Sequence, residues 1–437
     1  MWNLPQPVRK EEIMKKICLI FLFLIFLGGC SPTLEEGNDR FTETWTAMPG
    51  DRPSEESTRP VNVPEITQTP TASRSDTPQP TPTPPCTELH EDKDLMQRVP
   101  GIIVLRDRNT GEHIFLHSSN DPKPVVDRLD QLDPRDLQIS PDGEYILFRE
   151  RIKSYTPPPV TLWEIVDREG GWVTTVEIPR WKSPKWLGST HLIYEEEEGT
   201  SRIKTRSIYL IDPFSGEKSH IENTFPAFVR AYITPYWDGI HGLEFSPDGR
   251  YVVYPSDLPG YVVYDRVNQS IVCTLFSIDI ITQPKWTMHG NNLAVAINDN
   301  PTSADYELYI FEPEGWLGRL TLWSELFDEE EIYNFEWSRN GEKIAFLFSS
   351  NPVMSPVVQP AIIFDFGYRH MEIYCLEGGF FKSVYETYPA PIWSPDDRYI
   401  VVELISTEGV SQVFLIDTEE KSLLMIAENA TPIGWIR

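Results

Sequence analysis

The feature that most constrains this chain is a short motif that recurs from about residue 100 onwards. In its clearest copy, residues 245–249 read Phe-Ser-Pro-Asp-Gly and lead directly into the apolar segment Tyr251–Tyr254. Proline presets the backbone angle of a turn, aspartate bonds nearby backbone, and glycine accepts a positive φ. The motif therefore predicts a tight turn followed by a β-strand.

Copies of this motif, some degenerate, mark seven positions along the chain. They begin at Ile139, Pro184, Phe245, Pro284, Trp337, Trp393 and Pro432. The copies at 184–188, 284–288 and 432–435 depart from the pattern, and the last is cut short. Taking positions 140, 187, 246, 287, 338 and 394 as markers, the copies stand 41 to 59 residues apart. A period of this size with strand-like content is typical of β-propeller blades.

Most copies are followed, about 15 to 20 residues later, by a second apolar segment that ends in an acidic residue. These segments are Val104–Asp107, Glu164–Asp167, Tyr209–Asp212, Val262–Asp265, Tyr309–Glu312, Ile362–Asp365 and Phe414–Asp417. A turn then leads to a further strand. Each copy thus predicts four antiparallel strands, which make one blade of an all-β propeller.

The number of blades is predicted from the count of strands and from the pairing of the two ends of the repeat region. Seven acid-ended strands and seven inner-strand starts favour seven blades, whereas only six clear second strands leave six as the alternative. The simplest closure pairs Ile433–Ile436 with the strands near Ile102–Leu105 and His113–Leu116. Pairing the N- and C-terminal strands in one blade would close the ring and leave few exposed edges.

This arrangement resembles the TolB-like, WD-like propeller repeats of bacterial envelope proteins. The resemblance covers roughly residues 100–437 and rests on the Trp-Ser-Pro-Asp-Gly pattern, so it extends to the repeat class and not to one protein. The TolB propeller has six blades and follows a separate α/β domain, which this sequence does not show. The fold hosts many functions, so the resemblance implies architecture more than activity.

The first thirty residues predict export and lipidation. Lys15-Lys16 precedes the apolar run Ile17–Leu27, and small residues lead to Cys30, which is typical of a secretory signal over residues 1–29. Leu-Gly-Gly-Cys resembles the bacterial lipobox, which implies that Cys30 carries lipid and becomes the mature N-terminus; the alternative is an ordinary signal. Either Met1 or Met14 fits as the start. Ser31 after the cysteine leaves the outer membrane or the outer cell surface as the location.

Residues 30–88 are predicted to be a disordered tether, with the propeller domain over 89–437. Residues 67–85 are mostly Thr, Pro, Ser and Gln, and such a stretch cannot bury enough apolar area to offset its ordering entropy. The predicted role is to space the propeller away from the membrane.

Charge and cysteine content exclude some function classes. The formal net charge of −28 repels phosphate backbones, so we predict no nucleic-acid partner. Five scattered cysteines without a CxxC pair predict neither a disulfide framework nor a zinc site. Cys273 and Cys375 lie in strand-like runs and are predicted to be small buried apolar residues.

No catalytic, metal or cofactor site is predicted. The sequence has no HExxH and no Gly-x-Ser-x-Gly elbow, and His113 and His117 would stand about 13 Å apart along one strand. The turn acids Asp142, Asp248 and Asp396 are interpreted as caps of their own turns. The acidic runs Glu195–Glu198 and Asp328–Glu331 are interpreted as solvated loop charge.

Two insertions, Pro226–Gly242 and Asn351–Pro360, are the best candidates for binding loops. The first carries four aromatic residues that we predict to contact a partner: Phe228, Tyr232, Tyr236 and Trp237. The alternative is that these rings pack on a blade rim. The tryptophans at inner-strand starts are interpreted as packing between blades: Trp186, Trp286, Trp337, Trp393 and Trp435.

The sequence as a whole predicts a lipid-anchored, extracytoplasmic propeller that binds a protein, peptide or glycan partner in the cell envelope, or acts there as a scaffold. The membrane is contacted through the N-terminal lipid. The alternative is an envelope hydrolase or lyase with acids and histidines near the propeller axis, where polar residues of several blades would converge.

Overall fold

The computed structural model describes most of the chain after residue 85. The described residues are 86–118, 124–132, 134–149, 160–179, 183–200, 203–221, 243–255, 260–276, 283–298, 307–313, 316–319, 330–350, 357–364, 370–376 and 389–437. The predicted signal, Cys30, the tether up to residue 85 and the four loop aromatics all lie outside them. Within these residues no helix has the length and apolar character needed to cross a membrane.

The chain begins with short elements that precede the repeats. These are β1 (Thr87–Glu88), β2 (His90–Glu91), α1 (Leu95–Arg98), β3 (Ile102–Asp107), β4 (His113–His117) and α2 (Pro124–Leu132).

Six blades of four consecutive antiparallel strands follow. Blade 1 contains β5 (Arg135–Ile139), β6 (Tyr145–Arg149), β7 (Val160–Asp167) and β8 (Trp172–Pro179). Blade 2 contains β9 (Lys185–Leu187), β10 (His191–Thr200), β11 (Ile203–Ile211) and β12 (Lys218–His220). Blade 3 contains β13 (Glu244–Phe245), β14 (Tyr251–Pro255), β15 (Gly260–Asp265) and β16 (Ser270–Phe276).

The second half of the ring continues the same order. Blade 4 contains β17 (Lys285–Trp286), β18 (Leu293–Ile297), β19 (Glu307–Glu312) and β20 (Trp316–Arg319). Blade 5 contains β21 (Glu330–Trp337), β22 (Lys343–Ser350), β23 (Val357–Phe364) and β24 (His370–Cys375). Blade 6 contains β25 (Ile392–Trp393), β26 (Tyr399–Ile405), β27 (Ser411–Asp417) and β28 (Ser422–Glu428), and β29 (Ala430–Ile436) ends the chain.

Blade 7 is built from both ends of the repeat region. The C-terminal strand β29 pairs antiparallel with β3, with Trp435 opposite Ile103 and Ile436 opposite Ile102, and β3 pairs with β4. The predicted closure is therefore confirmed. The all-β class and seven blades are confirmed as well, and the six-bladed alternative is wrong.

The recurring motif forms the turn that the sequence predicts. In blade 3, Ser246 Oγ donates to Asp248 Oδ1 at 2.6 Å, and the backbone N–H groups of Arg250 and Tyr251 donate to Asp248 and to Ser246 Oγ at 2.9 Å. Gly249 has φ +68°. The same bonds recur around Asp142 and Asp396, so the interpretation of the three turn acids as turn caps is confirmed.

The core lies between neighbouring blades. Ala294 and Ile310 of blade 4 pack against Phe335 and Phe346 of blade 5, and all four side chains are almost fully buried. Because each sheet carries apolar residues on both faces, every blade needs its two neighbours to cover it. A closed ring meets this requirement for all seven.

The N-terminal segment runs along the outer edges of two blades. β1 pairs parallel with β24 of blade 5, and β2 pairs parallel with β28 of blade 6. A disulfide joins Cys86 to Cys375, with their Cα atoms 5.4 Å apart. We call residues 86–98 the rim segment.

The rim segment corrects two sequence-based predictions. Residues 86–88 belong to the propeller and not to the tether, because the disulfide and β1 hold them against blade 5. Cys375 is not a free buried thiol, since it bonds a cysteine 289 positions away in sequence, whereas Cys273 is a buried thiol as predicted.

Some segments predicted to be loops are strands. Glu195–Glu198 lies in β10, whose register with β11 runs from Leu192 opposite Ile211 to Thr200 opposite Ile203. Glu330 and Glu331 lie in β21, and residues 357–360 of the second predicted insertion lie in β23. Ladder pairing with a neighbouring strand outweighs the weak strand propensity of glutamate in these places.

Candidate binding site in the axial channel

A cavity of about 470 Å³ lies on the axis of the ring, and residues from all seven blades line it. We call this cavity the axial channel. Its walls are the inner strands and the turns that follow them, so the repeat itself places one set of side chains per blade around the axis. The volume falls in the range typical of small-ligand sites.

The tryptophans of the inner strands connect neighbouring blades. Nε1 of Trp286 donates to the carbonyl oxygen of Glu244 at 3.1 Å, and Nε1 of Trp337 donates to that of Lys285 at 2.9 Å. In the same way, Nε1 of Trp393 donates to the carbonyl oxygen of Glu336 at 3.2 Å. Each of these three indoles thus bonds the preceding blade. Trp186 packs with Trp163 of blade 1, and Trp435 packs with Val401 of blade 6, so the interpretation of the five tryptophans as inter-blade packing is confirmed.

In blades 2 to 5, the residue directly before the aromatic residue of the inner strand is charged. Lys185 of blade 2 pairs with Glu244 of blade 3, and Lys285 of blade 4 pairs with Glu336 of blade 5 at 3.0 Å. The Glu336 carboxylate, helped by that of Glu244, raises the pKa of Lys285. Positive and negative groups therefore alternate over four consecutive blades.

The other side of the channel is neutral. The corresponding positions of blades 6, 7 and 1 are Ile392, Gly434 and Gln138. Gln138 Nε2 donates to the carbonyl oxygen of Pro184 at 2.7 Å, and Ile392, Pro391 and Ile433 line the wall. The channel is therefore two-sided, with paired charges facing an apolar wall.

Arg339 crosses the end of the channel at which the motif turns lie. Its Nη1 donates to the carbonyl oxygen of Asp142 in blade 1, and its Nη2 donates to that of Trp435 in blade 7 at 3.2 Å. A Cβ at Gly143 would lie 2.7 Å from both Arg339 Nη2 and the Trp435 oxygen, so this crossing requires the glycine. Burial lowers the pKa of Arg339.

The described residues contain no group of three or more His, Cys, Asp and Glu side chains that could hold a metal ion. His113 and His117 occupy the two ends of β4, opposite Arg106 and Ile102. The two carboxylates of the channel wall, Glu244 and Glu336, are each paired with a lysine. The arrangement is suited to binding a ligand through charge, hydrogen bonds and apolar contact.

The sequence-based search missed the channel residues. The four charged residues directly precede the aromatic lead of their motif copies, and Arg339 replaces the proline found as Pro141, Pro247 and Pro395 in the other close copies. An alignment of the degenerate copies could have revealed both signals. The predicted aromatic loop lies outside the described residues, but Leu243, directly after it, lines the channel.

No family model matches the chain, and no curated protein matches it. Several solved structures align with the chain at low identity. A prolyl endopeptidase aligns with 77% of this chain at 10% identity and a TM-score of 0.45. That alignment covers 47% of the endopeptidase, so this chain corresponds to about half of its length.

Two further solved structures align with about two thirds of this chain. The β-propeller domain of the Trilobed protease from Pyrococcus furiosus aligns with 67% of this chain and 84% of its own, at 15% identity and a TM-score of 0.41. TolB from Acinetobacter baumannii aligns with 68% of this chain and 81% of its own, at 11% identity and a TM-score of 0.29.

Proposed function

We propose that this chain is a lipid-anchored, extracytoplasmic binding module that takes a protein, peptide or glycan partner at its axial channel and catalyses no reaction. The observation that carries this proposal is the channel itself, to which all seven blades contribute side chains. Rigid propeller walls with a few polar groups and apolar surface are typical of ligand sites.

The disulfide supports the extracytoplasmic location. Structural disulfides persist in oxidising compartments and are rare in the cytosol. The Cys86–Cys375 bond joins blade 5 to the last residues of the predicted tether. Together with the signal-like segment before Cys30, this bond favours export followed by attachment to a membrane.

The position of the predicted aromatic loop supports a site at the channel. Residues 222–242 connect β12 of blade 2 to β13 of blade 3, and Leu243 and Glu244 at the start of β13 line the channel. Phe228, Tyr232, Tyr236 and Trp237 therefore lie in the sequence a few positions before two residues of the channel wall. We propose that they contact the partner together with the wall, since aromatic residues are enriched at binding hot spots.

The experiment is affinity capture with crosslinking from membranes of the native host. We compare the wild type with Cys30→Ala, with Tyr236→Ala/Trp237→Ala, and with Lys285→Gln/Glu336→Gln, which removes one charge pair without leaving an unpaired charge. A partner retained by the wild type and lost with the channel and loop variants supports the proposal. A partner retained equally by all variants would place its contact elsewhere and overturn it.

The Cys30→Ala variant tests the anchor separately. We expect the wild type in the membrane fraction with a mass that includes acyl chains, and the variant without this mass. Stable attachment needs two anchoring signals, such as two acyl chains. An unmodified wild-type N-terminus would remove the lipid anchor from the proposal and leave the channel untouched.

A further inference from the structure

Among the described residues, Arg339 is the cation of the channel wall whose side chain forms no ion pair. Lys185 and Lys285 each form an ion pair with a glutamate. The Arg339 side chain bonds two carbonyl oxygens and forms no ion pair with any described residue. A guanidinium has five N–H donors, so three remain beyond the two bonds to carbonyl oxygens, and Arg339 is among the residues that line the channel.

The fold holds this guanidinium in place from several directions. The backbone N–H of Arg339 donates to Asp397 Oδ1 at 2.6 Å, which fixes the turn against blade 6. The side chain then reaches past blade 6 to the carbonyl oxygens of blades 7 and 1. A charged group held in position before a ligand arrives loses little conformational entropy on binding.

We propose that Arg339 recognises a carboxylate group of a ligand that binds in the axial channel. A carboxylate can accept two parallel N–H bonds from a guanidinium, a geometry that a lysine or a carbonyl cannot supply. This inference rests on the proposed function, because it assigns a ligand chemistry to the same channel.

The wall of the channel suits the remainder of such a ligand. Pro391, Ile392 and Ile433 offer apolar contact on one side, while the paired charges of blades 2 to 5 offer hydrogen bonds on the other. Two kinds of ligand combine a carboxylate with both apolar and hydrogen-bonding groups, namely a peptide with a free C-terminus and an acidic sugar. The shared chemistry is the carboxylate, and matched probes separate the two sources.

The test measures binding of matched acid and neutral probes by tryptophan fluorescence and calorimetry, since five tryptophans line the channel. The first pair is an N-acetylated tripeptide of alanine, isoleucine and alanine with a free C-terminus, and the same peptide as its C-terminal amide. The second pair is glucuronate and glucose. Wild-type protein, Arg339→Gln and Arg168→Gln are compared, because Arg168 lies in the turn between β7 and β8 and is not among the residues that line the channel.

We expect one acid probe to bind wild-type protein at least about tenfold more tightly than its neutral counterpart, as one charge-assisted bond provides. Arg339→Gln should abolish this difference, and Arg168→Gln should retain it. The pair that shows the difference identifies the source. Equal binding of acid and neutral probes by the wild type, or no binding of either acid, would overturn the inference even if Arg339→Gln proved unstable.

These outcomes are separable from failure of the proposed function. In one case the wild type captures a partner that the channel and loop variants lose, but acid and neutral probes bind equally. That result would retain the binding module and reject recognition of a carboxylate. Acid-selective probe binding without any captured partner would retain Arg339 as a small-ligand site and reject the macromolecular partner.

Discussion

Asp397 in the turn of blade 6 accepts the backbone N–H of Arg339 in blade 5 through Oδ1 at 2.6 Å, and that of Asn340 through Oδ2 at 2.9 Å. Asp397 stands where three other motif copies have glycine, and it keeps the positive φ of that position, +57°. One carboxylate thus joins two blades at a backbone angle that favours glycine. The inter-blade bonds explain why aspartate is present there.

We expect Asp397→Gly to destabilise the protein by about 1–3 kcal/mol, because two hydrogen bonds to a buried carboxylate are lost while backbone strain is relieved. Asp397→Asn should cost less, since asparagine tolerates positive φ and keeps an acceptor oxygen. Urea unfolding of the three proteins measures these differences. A stability of Asp397→Gly equal to or above that of the wild type would show that the bonds contribute nothing.

The disulfide should stabilise the rim segment and the ring together. Breaking the bond between Cys86 and Cys375 leaves residues 87–91 held chiefly by two strands of two residues each. We expect Cys86→Ser/Cys375→Ser to lower the free energy of unfolding by about 2–4 kcal/mol and to speed hydrogen exchange in the rim segment.

Cys273→Ser serves as the control for the disulfide, because this buried thiol lies in blade 3 away from the bond. Its hydrogen exchange in the rim segment should match the wild type. Unchanged exchange in the double variant would mean that the strand pairing holds the rim segment without the bond.

Glu403 should make stability depend on pH. Its side chain is fully buried between blades 6 and 7, accepts a bond from Ser411 Oγ at 2.6 Å and pairs with Arg108. Burial raises the pKa of Glu403 above its ordinary 4.5. A folded pKa above the unfolded one gives a contribution to stability that is full below the unfolded pKa and is lost as pH rises through the folded pKa.

Glu403→Gln cannot ionise, so its free energy of unfolding should fall less than that of the wild type as pH rises from about 4.5 to neutral. Unfolding in urea at a series of pH values measures both curves. Glu408→Gln, in an exposed turn of the same blade, should follow the wild type. Parallel curves for the wild type and Glu403→Gln would contradict the expectation.

Asp417 should make stability depend on pH in the direction opposite to Glu403. Burial alone would raise its pKa, but the Arg398 guanidinium and the backbone N–H groups of Glu420 and Glu419 hold the pKa of Asp417 below its ordinary 3.8. Its contribution to stability is therefore present above the unfolded pKa and is lost as pH falls through the folded pKa.

We expect Asp417→Asn to cost about 3 kcal/mol at neutral pH, because it breaks a buried ion pair, and the cost should shrink in acid. Asp265→Asn is the matched variant in blade 3, where the side chain of Arg250 is 41% exposed against 26% for Arg398. Asp265→Asn should therefore lower the free energy of unfolding by less than Asp417→Asn does. Thermal or urea unfolding at neutral and acidic pH checks both, and a larger effect at Asp265 would contradict this ranking.

The repeat could be predicted from the sequence because its signals are local. The Ser-Pro-Asp-Gly turn depends on bonds between residues at most five positions apart, such as those from Ser246 to Asp248 and from Tyr251 to Ser246. The closure by β29 and β3 could also be predicted, since a cut-short final copy needs strands from the other end.

The parts that could not be predicted depend on long-range pairing. Cys86 and Cys375 are 289 positions apart, and two-residue strands such as β1 carry no periodicity that would reveal a partner. The charge pairs of the channel join residues of neighbouring blades, Lys185 with Glu244 and Lys285 with Glu336. Their juxtaposition follows only once the degenerate motif copies are aligned around the axis.

The central claim is that a partner is bound at the axial channel, and site-specific photocrosslinking tests it most directly. A photoreactive amino acid is placed at Met288, which lines the channel, and separately at Val267, which is 72% exposed on an outer turn of blade 3. The proposal predicts a discrete crosslinked adduct from position 288 in native membranes and none from position 267. Adducts from position 267 alone would contradict it.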